Sequence, residues 1–113
     1  MSRQRKRHLD RMSMEESVLL GISELVKGTG SVYVEVHDHD NIQGLLVVVE
    51  VRPEIAEAEV SKSREEIRSY LNQLHAKSPN DRCLAEWSLV FETKGKTVAS
   101  ASAHDRFSRA GEA

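Results

Sequence analysis

The sequence predicts an α+β fold: a two-layer sandwich in which two helices cover an antiparallel four-stranded sheet, with elements in the order α-β-β-α-β-β. Three observations point to it. Apolar residues recur at helical spacing at Val18, Leu19, Ile22, Leu25 and Val26, and again at Ile67, Tyr70, Leu71 and Leu74. The period drops to two at Val32, Val34 and Val36, and at Trp87, Leu89 and Phe91. Each helical stretch is followed by two extended ones, the pattern of helices packed on one antiparallel sheet.

Taken in order, residues 1–12 are polar and basic without a hydrophobic period, and are expected to form a flexible arm. Ser13-Met14-Glu15-Glu16 has the form of a capping box, so the first helix is expected to begin at Ser13, with Gly28 and Gly30 as its stop. A half-buried strand follows from Ser31 to His37, and a second from about Ile42 to Arg52. The block LLVVVEV in the second is rich enough in branched residues to be covered on part of both faces. Pro53 ends its pairing. Residues 54–62 are acidic and fit neither period. Ser63-Arg64-Glu65-Glu66 repeats the capping-box pattern, so a second helix is expected from Ser63 to about Lys77, before Pro79.

After a loop at 78–82, Cys83 sits at what reads as a strand entrance. Lys94-Gly95 marks a tight turn between the strand that opens at Trp87 and a last strand from Lys96 to about Ala103. Alternating Ala99, Ala101 and Ala103 give that last strand a face of small side chains, over which a helix can pack closely. One domain over residues 13–106, with a flexible tail at 107–113, accommodates these elements, and 113 residues bury a modest core.

Charge is unevenly placed. The total is −2, but Arg3, Arg5, Lys6, Arg7 and Arg11 against Asp10 give residues 1–12 a net +4. The window 35–66 holds nine acids against Arg52, Lys62 and Arg64, a net −6. No apolar run approaches the roughly 20 residues of a spanning helix, and no secretory signal pattern precedes the domain, so a cytoplasmic location is expected. With Cys83 as the only cysteine, no intramolecular disulfide or multi-cysteine zinc site can form, and a packed thiol is the expected role.

HDHDN at 37–41 is the one stretch that resembles a metal site. His37 and His39 would face the same way on a strand, with Asp38 or Asp40 adding a carboxylate. A site would need a third convergent ligand, and His8, His75 and His104 are scattered. Asp and Asn also favour turns, so a hairpin corner is the expected role and no metal is assigned. There is no G-x-S-x-G elbow, and Gly28-Thr29-Gly30 follows a helix and precedes a strand, opposite to a phosphate cradle. Neither a catalytic residue nor a cofactor is therefore expected.

The stretch Trp87-Ser-Leu-Val-Phe-Glu-Thr-Lys-Gly-Lys-Thr-Val, ending in Ala103-His-Asp105, resembles the closing hairpin of the YezG-like immunity proteins of bacterial toxin systems. The Ser-Arg-Glu-Glu-Ile-Arg-Ser-Tyr-Leu helix and the earlier helix and hairpin follow that family's order over residues 13–106, although the last strand carries Ala and Ser where the family is aromatic-rich. The resemblance implies a small cytoplasmic protein that neutralises a cognate toxin, often a nuclease, by direct binding and without chemistry of its own. On this reading Glu35, Asp38, Asp40, Glu54, Glu57 and Glu59 are the expected partner-facing charges, since carboxylates steer a basic partner. The alternative is a nucleic-acid-associated accessory protein that holds phosphates with Arg3, Arg5, Lys6, Arg7 and Arg11. An exposed edge strand would also offer a route to a homodimer.

Overall fold

The computed structural model describes the backbone of residues 2–39 and 42–104, and the side chains of residues 14–38 and 42–104. The chain runs α1 (Ser2–Leu25), β1 (Gly30–His39), β2 (Ile42–Val51), α2 (Glu57–Lys77), α3 (Arg82–Ala85), β3 (Trp87–Thr93) and β4 (Lys96–Ser102). The four strands form one sheet in the order β1-β2-β3-β4.

The fold is α+β with a four-stranded sheet, but the sheet is mixed rather than antiparallel. β1 pairs with β2 and β3 with β4 as antiparallel hairpins, while β2 and β3 run parallel, with Leu45 beside Trp87, Val47 beside Leu89 and Val49 beside Phe91. The length of α2 explains the correction. Its 21 residues rise about 31 Å, close to the roughly 33 Å of ten-residue β2. It therefore carries the chain back along the sheet, so β3 starts beside the beginning of β2, as a helical crossover requires.

Both expected helix starts also move. α1 begins at Ser2 and includes the residues expected as an arm, and α2 begins at Glu57, six residues before Ser63. Each capping-box serine lies inside a helix. Ser63 is buried on the stripe Val60, Ser63, Ile67 and Leu71, and the α2 N-cap, Ala56, makes no side-chain cap. Because Glu, Ala and Lys in 57–62 are good helix formers, the helix propagates backward until the Pro53 turn. The strand entrance at Cys83 is instead the single turn α3, capped by Asp81, whose Oδ1 accepts from the Leu84 amide at 3.0 Å. The expected tail at 107–113 lies outside the described residues.

The sheet separates two kinds of side chain. On the helix side, Val34, Val47, Leu89 and Ala101 form one cross-strand row, and Val32, Val49, Phe91 and Ala99 another. Val18 and Ile22 of α1, Val26 in the turn just after it, and Val60, Ile67 and Leu71 of α2 close the core over them. The alanines of β4 lie under α2, the close approach expected of small residues. Trp87, fully buried, keeps a partner for its indole, with Nε1 donating to Asn72 Oδ1 at 3.3 Å.

Both sheet edges are guarded, as exposed edges usually are. Glu15 of α1 accepts from the Val36 amide of β1 at 3.0 Å. On β4 the register jumps opposite Phe91 and Glu92, so Val98 is an extra residue that bends the strand. Lys94 and Gly95, at φ 53° and 80°, form the left-handed pair that a two-residue hairpin requires.

Two outcomes follow. Leu89→Ala removes a fully buried side chain from the central row and is expected to cost about 2–5 kcal/mol in urea unfolding. Glu15→Ala leaves the Val36 amide without its acceptor; it should cost about 1 kcal/mol and make light scattering rise with protein concentration.

Candidate functional site

Alternation along four strands leaves the second face of the sheet without a covering layer among the described residues. Its middle row is Tyr33, Val48, Val90 and Ser100. To one side lie Glu35, Leu46, Ser88 and Ser102, and to the other Ser31, Glu50, Glu92 and Thr97. Tyr33 is 54% exposed, while Leu46, Val48 and Val90 are half-buried by their neighbours in the sheet. The result is a flat apolar centre with a polar margin.

The carboxylates of the strands on this face are Glu35, Glu50 and Glu92, while Arg52 and Lys94 border a cleft beside Ser31 and Glu50 at its margin. Glu50 and Glu92 sit directly opposite each other in the parallel ladder. Glu35 accepts from the Tyr33 hydroxyl at 2.8 Å through one carboxylate oxygen and meets His37 Nε2 at 2.8 Å through the other. Lys96 is the only lysine or arginine within the four strands, and its register opposite Thr93 turns it to the helix side. The hydrogen bond to Glu35, together with repulsion between a phenolate and that carboxylate, raises the Tyr33 pKa above its ordinary 10.0.

Of the acids expected to face a partner, Glu35 alone lies on this face. Asp38 follows the opposite alternation at the far end of β1, where Gln43 Nε2 donates to it at 3.1 Å. Glu54 pairs with Arg52 at 3.2 Å beyond the end of β2, and Glu57 and Glu59 occupy the first turn of α2. β2 spans about 33 Å between those two locations, so the expected set does not form one surface. Asp40 lies outside the described residues. Glu50 and Glu92 are not among the expected partner-facing acids, because each is a single acid in an apolar strand. The signal for them was parity: both fall on the same alternate positions as Tyr33 and Glu35 once the register is known.

The basic residues Arg3, Arg5, Lys6, Arg7 and Arg11 lie in the helical backbone of α1, ahead of Met14, the first residue described against the core. Cys83 is buried beneath the β1 end, its thiol donating to the His37 carbonyl at 3.3 Å. No group of three or more His, Cys, Asp or Glu among the described residues converges to hold a metal, and the His39 side chain is not among those described. Ser102, His104 and Glu86 are a triad by residue type only. The His104 ring meets Glu86 through Nε2 at 3.0 Å, but it is the His104 backbone amide that donates to Ser102 Oγ. On the helix side, a cleft of about 370 Å³ opens between α2 and the bulged start of β4, lined by Val51, Ile55, Val60, Arg64 and Val98 among others.

No family model, curated protein or solved structure matches this chain. None of the described helices is long and apolar enough to cross a membrane.

Replacing Tyr70 with phenylalanine leaves Tyr33 as the only tyrosine, and its ultraviolet titration is expected to centre above pH 10, with Glu35→Gln moving the midpoint down. Since the folded pKa is raised, the stability contributed by this contact is present below pH 10 and is lost as the pH climbs through the folded midpoint.

Proposed function

We propose that this chain is an immunity-type protein, a non-enzymatic binder that occupies and neutralises a cognate bacterial toxin, of which a nuclease is the type its acidity suits best. It would act in the cytoplasm, where such a toxin meets its target. One observation carries the reading: a whole sheet face, with Tyr33, Leu46, Val48 and Val90 at its centre, stands without a covering layer among the described residues. Exposed apolar patches rimmed by polar groups mark interaction sites, and a tyrosine at the centre is a common interface anchor. The likeness of the Trp87–Thr93 strand and its hairpin to the YezG-like proteins supports the same class.

The nucleic-acid reading keeps one supporting observation. Arg3, Arg5, Lys6, Arg7 and Arg11 concentrate five cations in the first twelve residues, enough for several phosphate contacts.

Capture with the tagged full chain from its own cytoplasm, with and without nuclease, separates the two. A single basic toxin-like protein that survives nuclease, and whose killing activity the purified chain suppresses, is the expected result. Loss of every partner on nuclease treatment, together with loss of retention when residues 1–12 are removed, would transfer the function to the basic segment.

A further inference from the structure

We infer that the open face of the sheet is a docking surface for one kind of occupant: a protein surface that brings lysine or arginine side chains around an exposed apolar side chain. The inference rests on the binding-protein reading above and adds to it the surface, its orientation and the chemistry of what it takes.

A surface whose charges alternate accepts many partners weakly, whereas one whose charges share a sign selects. Glu35, Glu50 and Glu92 are the carboxylates on the three face rows, and no lysine or arginine of the strands shares that face. Arg52, held by the Gly28 carbonyl and Glu54, and Lys94 of the β3–β4 turn stand at the margin beside Glu50, outside the rows that hold Tyr33, Val48 and Val90.

The Glu50 and Glu92 pair adds a cost that the free protein carries. Like charges placed directly opposite each other on neighbouring strands are destabilising, and neither carboxylate has a hydrogen-bond or ion-pair partner among the described residues. A cation delivered between them relieves that repulsion while it binds. The same cation would lie one row from Val48 and Val90, where an adjoining apolar side chain finds its seat.

Tyr33 completes the surface. Its hydroxyl is already tethered to Glu35, so a side chain that interfaces favour as an anchor has one preferred position before a partner arrives. His37 buttresses Glu35 from the other side. Glu54, Glu57 and Glu59, which pair locally or complement the α2 dipole, lie off this surface and contribute nothing to docking.

The test uses the full ¹⁵N-labelled chain and two probes: a short synthetic peptide alternating lysine with leucine, and its counterpart alternating glutamate with leucine. With the lysine peptide, amide shifts should concentrate at Tyr33, Leu46, Val48, Glu50, Val90 and Glu92 and shrink as salt is raised. The glutamate peptide should leave those amides in place. Combining Glu35→Gln, Glu50→Gln and Glu92→Gln should weaken lysine-peptide binding about tenfold, and combining Glu54→Gln, Glu57→Gln and Glu59→Gln should leave it unchanged. Shifts centred on α2 or on the cleft beside β4, equal response to both peptides, or indifference to the first triple variant would overturn the inference. So would sedimentation showing that a second copy already covers the face in the free protein. Comparing peptide sign and salt on the unaltered chain keeps the test decisive if the triple variant folds poorly. A captured toxin whose binding ignores the first triple variant sinks this surface and leaves the neutralising function standing. A mapped lysine peptide with no toxin captured does the reverse.

Discussion

The parallel pairing of β2 with β3 is the constraint on which the other elements depend. Each hairpin alone would be marginal in water, since two strands bury too little to offset their ordering. Joined through β2 and β3, they become a sheet whose helix side carries Leu45, Val47, Val49, Trp87, Leu89 and Phe91 as one continuous apolar block. α2 is what makes that pairing geometrically available, because it is long enough to return the chain to the end of the sheet where β2 began. Gly30 shows how closely the hairpin beside it is fitted, since a Cβ there would run into the Glu50 carbonyl.

A two-layer sandwich with one sheet and one helical layer leaves a sheet face over, and the character of that face is where this chain departs from pure architecture. A strand row that only needed solubility would mix charges and keep its large apolar groups inward. Here Tyr33, Val48 and Val90 stand in a row between carboxylates. The polar groups that could suggest chemistry elsewhere have local structural work instead. Cys83 packs under the first hairpin, Asp81 caps a single helical turn, and His104 rests on Glu86.

The hairpins were legible in the sequence because alternation and turn chemistry are local signals. Val32, Val34 and Val36 announce β1, and Lys94-Gly95 fixes the last turn to the residue. The end of α2 at Lys77 was equally legible from Pro79. What stayed hidden depends on neighbours distant in sequence. The direction of β3 relative to β2 is set by the length of the crossover, and the first six residues of that helix lay in the acidic stretch 54–62 that shows no stripe until Val60 is counted with Ser63 and Ile67. Ser13 and Ser63 misled for a related reason: serine followed by two glutamates is as compatible with a helix interior as with its start. Charge totals gave the sign of the middle of the chain but not its layout. A sum over residues 35–66 merges two ends of a strand and two faces of a sheet.

The residues between the two central strands also set a schedule for the newly made chain. Val51 leaves the ribosome 42 residues before Thr93, the last residue of β3. At roughly 5–20 residues per second, β2 waits about 2–8 s with one of its hydrogen-bonding sides unclaimed. During that interval Leu45 to Val49 form an apolar, branched segment of the kind that recruits stray strands. Glu50, Arg52 and Pro53 stand immediately after it, in the places where charge and proline keep such a segment from being extended by the wrong chain.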